Sequence, residues 1–307
     1  MPLDPQADDF LQKYNKLNLP PLSEMTIERL RSMVAPATGH LESVSRIENL
    51  EIPGPNGQIR IRIYYPHHGE LESPRAAIMY FHGGGWVTGT LDAYDHLCCA
   101  TCRRSESIVI SVDYRCAPEN PFPIPLDDAY AATNWAASHL AGWDIPEDKL
   151  VVMGDSAGGN LAAAVCLKAR DAGGPVIGYQ VLIYPITDYN LQTVSYRENA
   201  KGYMLTRDSM AWFWEQYVPE ELDRHDPLAS PLRADDLKGL PPAYLLTCEF
   251  DPLRDEGIAY GRKLQEHKVP VRFVHCPGMI HGFFRRIDIF DLSLQKVQEI
   301  ADLIHEL

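Results

Sequence analysis

Ser156 stands in Gly154-Asp155-Ser156-Ala157-Gly158-Gly159, directly after the apolar run Leu150-Val151-Val152-Met153 and directly before an Ala-rich helical pattern. A serine between glycines at a strand-to-helix junction points to nucleophilic chemistry. The glycines let backbone segments approach too closely for a Cβ, and the tight turn lifts the hydroxyl clear of the strand ends. The N-terminus of the following helix aims free N–H groups at whatever the serine attacks. A Gly-rich turn in this place also serves phosphate binding, but neither G-x-G-x-x-G nor G-x-x-x-x-G-K-[ST] is present.

His82-Gly83-Gly84-Gly85-Trp86 follows an apolar run that ends at Phe81. Bare glycine backbone offers N–H groups to a developing oxyanion, and the N–H of Ala157, the residue after the serine, is the expected third donor. A serine nucleophile further needs a base and an acid to orient it, in the chain order Ser, Asp/Glu, His. Asp251 follows the apolar run Ala243–Cys248, at the strand end where α/β sheets place ligand-binding groups; Glu249 and Asp255 are its rivals. His281, in Pro277-Gly278-Met279-Ile280-His281-Gly282-Phe283, follows the last strand pattern; its plainer alternative is a capping or surface histidine. His82 precedes Ser156 and falls outside that order.

The elements that must position these residues are legible from periodicity. Phe10, Leu11, Tyr14 and Leu17, then Met25, Ile27, Leu30 and Met33, predict two short helices around Pro20-Pro21. Sheet structure is expected from Ile59, where Ile59, Ile61 and Ile63 alternate with Arg60 and Arg62. Apolar runs at 76–81, 107–114, 150–153, 179–184, 243–248 and 271–275 predict buried strands, and 126–140, 157–170, 254–268 and 287–307 predict helices. The alternation predicts an α/β fold with a mostly parallel central sheet flanked by helices. Between Ile186 and Leu240 no strand pattern appears, only an aromatic-rich helix over 210–217, and an insertion of that size is usually functional.

Composition narrows the partners. Lys+Arg 28 against Asp+Glu 42 give a formal charge of −14 over 307 residues, with no basic run, which argues against nucleic acid or an anionic membrane. No window approaches a membrane span, and the N-terminus lacks a signal-peptide pattern, so a cytoplasmic location is expected. The 7 cysteines are expected as free thiols, and Cys98-Cys99-x-x-Cys102 as part of a helix rather than a metal site; no metal or cofactor is expected.

With these pieces in register, the sequence resembles the hormone-sensitive-lipase-like family of α/β hydrolases, which includes many bacterial carboxylesterases. The resemblance rests on His82 to Gly85, on Asp113-Tyr114-Arg115-Cys116-Ala117-Pro118-Glu119 with Phe122-Pro123, on Gly154 to Gly159, on Asp251 to Asp255 and on His281-Gly282-Phe283. It covers nearly the whole chain; Cys116 departs from the usual Leu, and Asp155 marks the GDSAG type. It implies a triad of Ser156, Asp251 and His281, and an oxyanion hole from Gly83, Gly84, Gly85 and Ala157. It implies a single hydrolase domain over 1–307 with a cap from about 1–45 and 186–222. It also implies homodimerisation through the sheet edge at the last strand, 271–275. The expected function is a serine carboxylesterase acting on short- to medium-chain esters. Lipase, amidase or acyltransferase chemistry on the same triad stays open, as does a non-catalytic small-molecule receptor like those for plant gibberellins. Trp86, Leu205 and Phe213 are candidate substrate-pocket residues, with Phe10, Trp212 and Trp214 beside them.

Overall fold

The computed structural model describes residues 2–36, 41–67 and 73–307; residues 1 and 37–40 of the expected cap lie outside them. The N-terminal apolar spacing forms helices α1 (Pro5–Asn15) and α2 (Ile27–Ser32). Asp4 and Thr26 cap them by accepting hydrogen bonds from otherwise free N–H groups of the first turn. There follow β1 (Arg46–Gly54), β2 (Gly57–Tyr65), β3 (Ala77–Phe81), α3 (Leu91–Ser105), β4 (Ile108–Asp113), α4 (Ile124–His139), β5 (Leu150–Asp155) and α5 (Ala157–Ala172). The second half comprises β6 (Tyr179–Ile183), α6 (Val194–Glu198), α7 (Arg207–Tyr217), β7 (Ala243–Phe250), α8 (Arg254–Glu266), β8 (Val271–Ile280) and α9 (Asp291–Glu306).

Among the described residues the strands form one sheet in the order β1-β2-β4-β3-β5-β6-β7-β8. β2 runs antiparallel to both its neighbours, and every pairing from β4 across to β8 is parallel. A parallel strand covered on both faces must be apolar at every position. In β3 all five residues are buried: Met79 and Phe81 join the core with α4 and α5, whereas Ile78 and Tyr80 join the core with α3 and α9.

The sheet begins one strand earlier than the expected start at Ile59. In β1 only Ile52 is buried, so this outer strand carries charged residues and Pro53 instead of an apolar run. The 186–240 gap contains no strand, as expected, and adds the short α6 to the predicted aromatic helix α7. All 7 cysteines are free, and Cys98, Cys99 and Cys102 lie buried on α3. Among the described residues no helix is long and apolar enough to cross a membrane, and no group of three or more His, Cys, Asp or Glu is placed to hold a metal ion.

Candidate active site

The sheet brings four strand ends together. Phe81 pairs with Gly154, Asp155 with Ile183, and Phe250 with Ile280, so the segments after β3, β5, β7 and β8 meet at one edge. Ser156 fills the single position between β5 and α5 with φ +57° and ψ −118°, a conformation that L residues rarely adopt. Its N–H donates to the Ile183 carbonyl at 2.9 Å, which fixes the turn against β6. The glycines are steric necessities: a Cβ at Gly158 would overlap the Phe81 carbonyl oxygen, and one at Gly154 the backbone of Gly158.

His281 bridges the two other members of the expected triad. Its Nε2 lies 2.9 Å from Ser156 Oγ and its Nδ1 2.8 Å from Asp251 Oδ2. A carboxylate accepts, so Nδ1 donates, and in the neutral ring Nε2 is left as an acceptor for the serine proton. Asp251 is held in turn by the Leu253 N–H on Oδ1 at 2.9 Å and by Asn199 Nδ2, which donates to its backbone carbonyl at 3.2 Å. Asp251 is fully buried and His281 and Ser156 nearly so. The rival carboxylates are engaged elsewhere: Glu249 accepts from the Gly278 N–H at 2.7 Å, and Asp255 from the Ser195 N–H at 2.7 Å.

The glycine loop is aimed from behind. In a trans peptide the C=O of one residue and the N–H of the next point in opposite directions. The Gly84 carbonyl accepts from Val87 N–H, Thr88 N–H and Thr88 Oγ1 at 3.0 to 3.2 Å, which turns the Gly85 N–H the other way. The Gly83 carbonyl faces His82 Nδ1 at 3.0 Å, which does the same for the Gly84 N–H. The Ser156 carbonyl accepts from Asn160 N–H at 3.0 Å inside α5, so the Ala157 N–H points out of the helix end. Among the described residues no acceptor takes these three N–H groups.

Gly83 corrects the expectation. Its N–H is consumed inside the protein by Tyr94 Oη at 2.9 Å and Asp155 Oδ1 at 3.0 Å, so it has no donor to offer a ligand. Asp155 is the centre of that support: its carboxylate also accepts from Tyr80 Oη at 2.9 Å and Tyr94 Oη at 3.1 Å. Burial raises both tyrosines well above their ordinary range, which keeps them neutral donors. Burial likewise lowers His82, so its ring is held neutral, with Nδ1–H donating to the Gly83 carbonyl and the ring stacked on Tyr114 at 4.2 Å. Sequence reasoning missed these supports because Asp155 reads only as a family marker and His82 only as a base in the wrong order.

The sequence pattern of the alpha/beta hydrolase fold family matches residues 78–285, which span β3 to the loop beyond His281. The chain belongs to this family. The hydrolase is 42% identical over 267 residues to the carboxylic ester hydrolase LipN of Mycobacterium tuberculosis, covering 85% of this chain and 69% of that one. It is 35% identical to an arylesterase of Saccharolobus solfataricus, over 92% of both chains. The solved structure of an ester hydrolase from the metagenome of Lake Arreo, complexed with a bipyridine phosphonate derivative, superposes with a TM-score of 0.92 at 38% identity, covering 98% of each chain. These similarities support the hormone-sensitive-lipase-like resemblance read from the sequence.

Above Ser156 the hydrolase has a partly open cavity of about 850 Å³, lined by Ser156, His281, Gly84 and Gly85. Two segments wall it: the N-terminal one with Tyr14, Met25 and Leu30, and the 186–222 insertion with Leu205, Trp212 and Phe213. Phe213 closes directly over the glycine loop, since a Cβ at Gly85 would run into its ring. Of the three candidate pocket residues, Leu205 and Phe213 line this cavity and Trp86 does not. It is fully buried, stacked on Tyr217 at 4.0 Å and 9°, and does not line the cavity. Trp214 packs beside it at 5.0 Å, and Phe10 packs on Phe290 at 5.6 Å. On α7, Met210, Trp214 and Tyr217, at spacings of four and three, are buried, whereas Trp212 and Phe213 line the cavity.

Proposed function

We propose that this hydrolase is a serine carboxylesterase that cleaves short- to medium-chain esters through an acyl-enzyme on Ser156. The observation that carries the reading is His281 held between Asp251 at 2.8 Å and Ser156 at 2.9 Å. His281 takes the Ser156 proton as Oγ attacks the ester carbonyl. The N–H groups of Gly84, Gly85 and Ala157 receive the oxyanion, each worth about 10²- to 10³-fold in turnover. Asp251 keeps the Nδ1–H tautomer and offsets the imidazolium. His281 then returns the proton to the departing alkoxide, and a water deprotonated by the same ring hydrolyses the acyl-enzyme.

The names of the two relatives, carboxylic ester hydrolase and arylesterase, support an ester substrate. The cavity, walled by the N-terminal segment and the insertion, supports a role for both as a cap and suits a small ester. The free edge of β8, with Phe273 41% exposed, is the proposed contact between two copies. The test is turnover of p-nitrophenyl esters of increasing acyl length. Wild type is expected to peak well below about twelve carbons, and Ser156→Ala to lose about 10⁴-fold or more together with fluorophosphonate labelling. Ser156→Ala retaining wild-type turnover overturns the assignment.

A further inference from the structure

The loop after His281 sets two adjacent arginines, Arg285 and Arg286, into the wall of the cavity. Arg286 is half-buried; its guanidinium donates to the Gly282 carbonyl and to Met204 Sδ at 3.3 Å and lies over the Phe10 ring at 5.0 Å. Arg285 lies over the Tyr94 ring at 6.0 Å. Among the described residues neither arginine forms an ion pair with a carboxylate. Elsewhere in the chain Arg62 pairs with Asp92 and Asp95, Arg115 with Asp128, and Arg254 with Glu198 and Asp255, while buried Arg224 is satisfied by the Val218 and Pro219 carbonyls and Tyr189 Oη; Arg286 has a single carbonyl and a sulfur.

An unpaired guanidinium in a partly apolar wall is costly unless a counter-charge arrives. None comes from the described residues around it. The groups acting on Arg286 are Arg285, which repels it, and the phenols of Tyr184, Tyr94 and Tyr14. Burial raises all three phenols, so they carry no charge at neutral pH. Burial and the neighbouring Arg285 lower Arg286 to about 10, which leaves it protonated at neutral pH. Asp155 also faces the cavity, but both its oxygens are occupied by Tyr80, Tyr94 and Gly83. Asp208 and Glu215 reach the cavity from α7 and pair with neither arginine. The missing partner is an anion brought by the ligand, and forked guanidinium donors match a carboxylate.

The side of the substrate follows from the proton path. His281 returns its proton to the leaving oxygen, so the alcohol portion of an ester lies on the His281 side, and both arginines stand on the loop that follows His281. Resting on the esterase reading, we propose that Arg285 and Arg286 form an anion subsite that selects esters bearing a carboxylate on the alcohol portion.

The test compares kcat/KM for 4-acetoxybutanoate with that for 4-acetoxybutanamide, the same acetate ester with a neutral amide in place of the carboxylate, by acetate release. Wild type is expected to favour the carboxylate about tenfold or more, with the preference shrinking between low and high salt. The ratio should fall toward one in Arg285→Gln and Arg286→Gln and be partly retained in Arg286→Lys. A wild-type ratio at or below one overturns the subsite without needing any variant. A preference that survives both glutamine variants removes it from these residues. A preference confined to a carboxylate on the acyl side, measured with monobutyl succinate against its amide, overturns the alcohol-side placement. Wild-type turnover of p-nitrophenyl butyrate separates the two readings: its absence sinks the esterase assignment, and its presence without a carboxylate preference sinks the subsite alone.

Discussion

The donors proposed to meet the oxyanion are aimed by groups that never touch a substrate. The orientation of Gly84 rests on its preceding carbonyl, which faces His82 Nδ1, and that bond exists only while the ring presents a proton on Nδ1. Among the described residues His82 Nε2 is buried without a partner, so protonating it would place a charge in an apolar surrounding. Its folded-state pKa is accordingly below the unfolded value of 6.5. The unfolded chain therefore binds a proton that the folded chain refuses, and stability falls as pH drops below 6.5 toward the lowered folded value. The contribution is fully present above that window. His82→Asn keeps a donor near the Gly83 carbonyl but does not titrate, so its urea-unfolding free energy is expected to decline less between pH 7.5 and pH 5 than that of wild type. Equal declines would show that His82 titrates alike in both states.

At the scale of elements, what the sequence reveals is what burial on two faces writes into it. The strand runs that deliver Ser156 and Asp251 are apolar at nearly every position, whereas β8, which delivers His281, exposes Arg272 and His275; order along the chain left Glu249 and Asp255 as rivals of Asp251, and the family resemblance chose between them. β1 was hidden because an edge strand needs only one buried residue, although Asn56-Gly57 after it is a hairpin turn signal, with Gly57 at φ +127°. Gly83 looked identical to its neighbours because composition does not say where a peptide N–H points. Trp86 and Trp214 looked like pocket walls because aromatic side chains suit a core and a cavity equally well. β8, the other edge, keeps an apolar residue at its solvent face: Phe273 is 41% exposed. Soluble proteins usually blunt such an edge, and pairing it with a second copy extends the sheet. Light scattering is expected to give the mass of two chains for wild type and of one for Phe273→Lys; a wild-type mass of one chain ends the proposal.

At the scale of the whole molecule, the cavity joins chain segments far apart in sequence, and Arg31 is where they are fastened. From α2 it donates to the Val87 carbonyl at 3.0 Å, to the Ala117 carbonyl at 3.0 Å and through two bonds to Glu119 at 2.6 and 2.9 Å. The ion pair is largely solvent-exposed and contributes little, but the bonds from a charged donor to fixed backbone carbonyls hold the N-terminal segment against the glycine loop. Arg31→Gln is expected to raise KM for p-nitrophenyl butyrate by roughly fivefold, equivalent to about 1 kcal/mol, and to speed proteolytic removal of the first helices. Unchanged KM and unchanged proteolysis would mean that the segment docks without it. Because Arg31 grips Val87, whose own N–H anchors the Gly84 carbonyl, the roof of the cavity and the machinery beneath it share one joint. Whatever fills the cavity and touches both then tightens that joint, and the joint tightens the grip in equal measure. Substrate binding and docking of the N-terminus are two readings of one equilibrium.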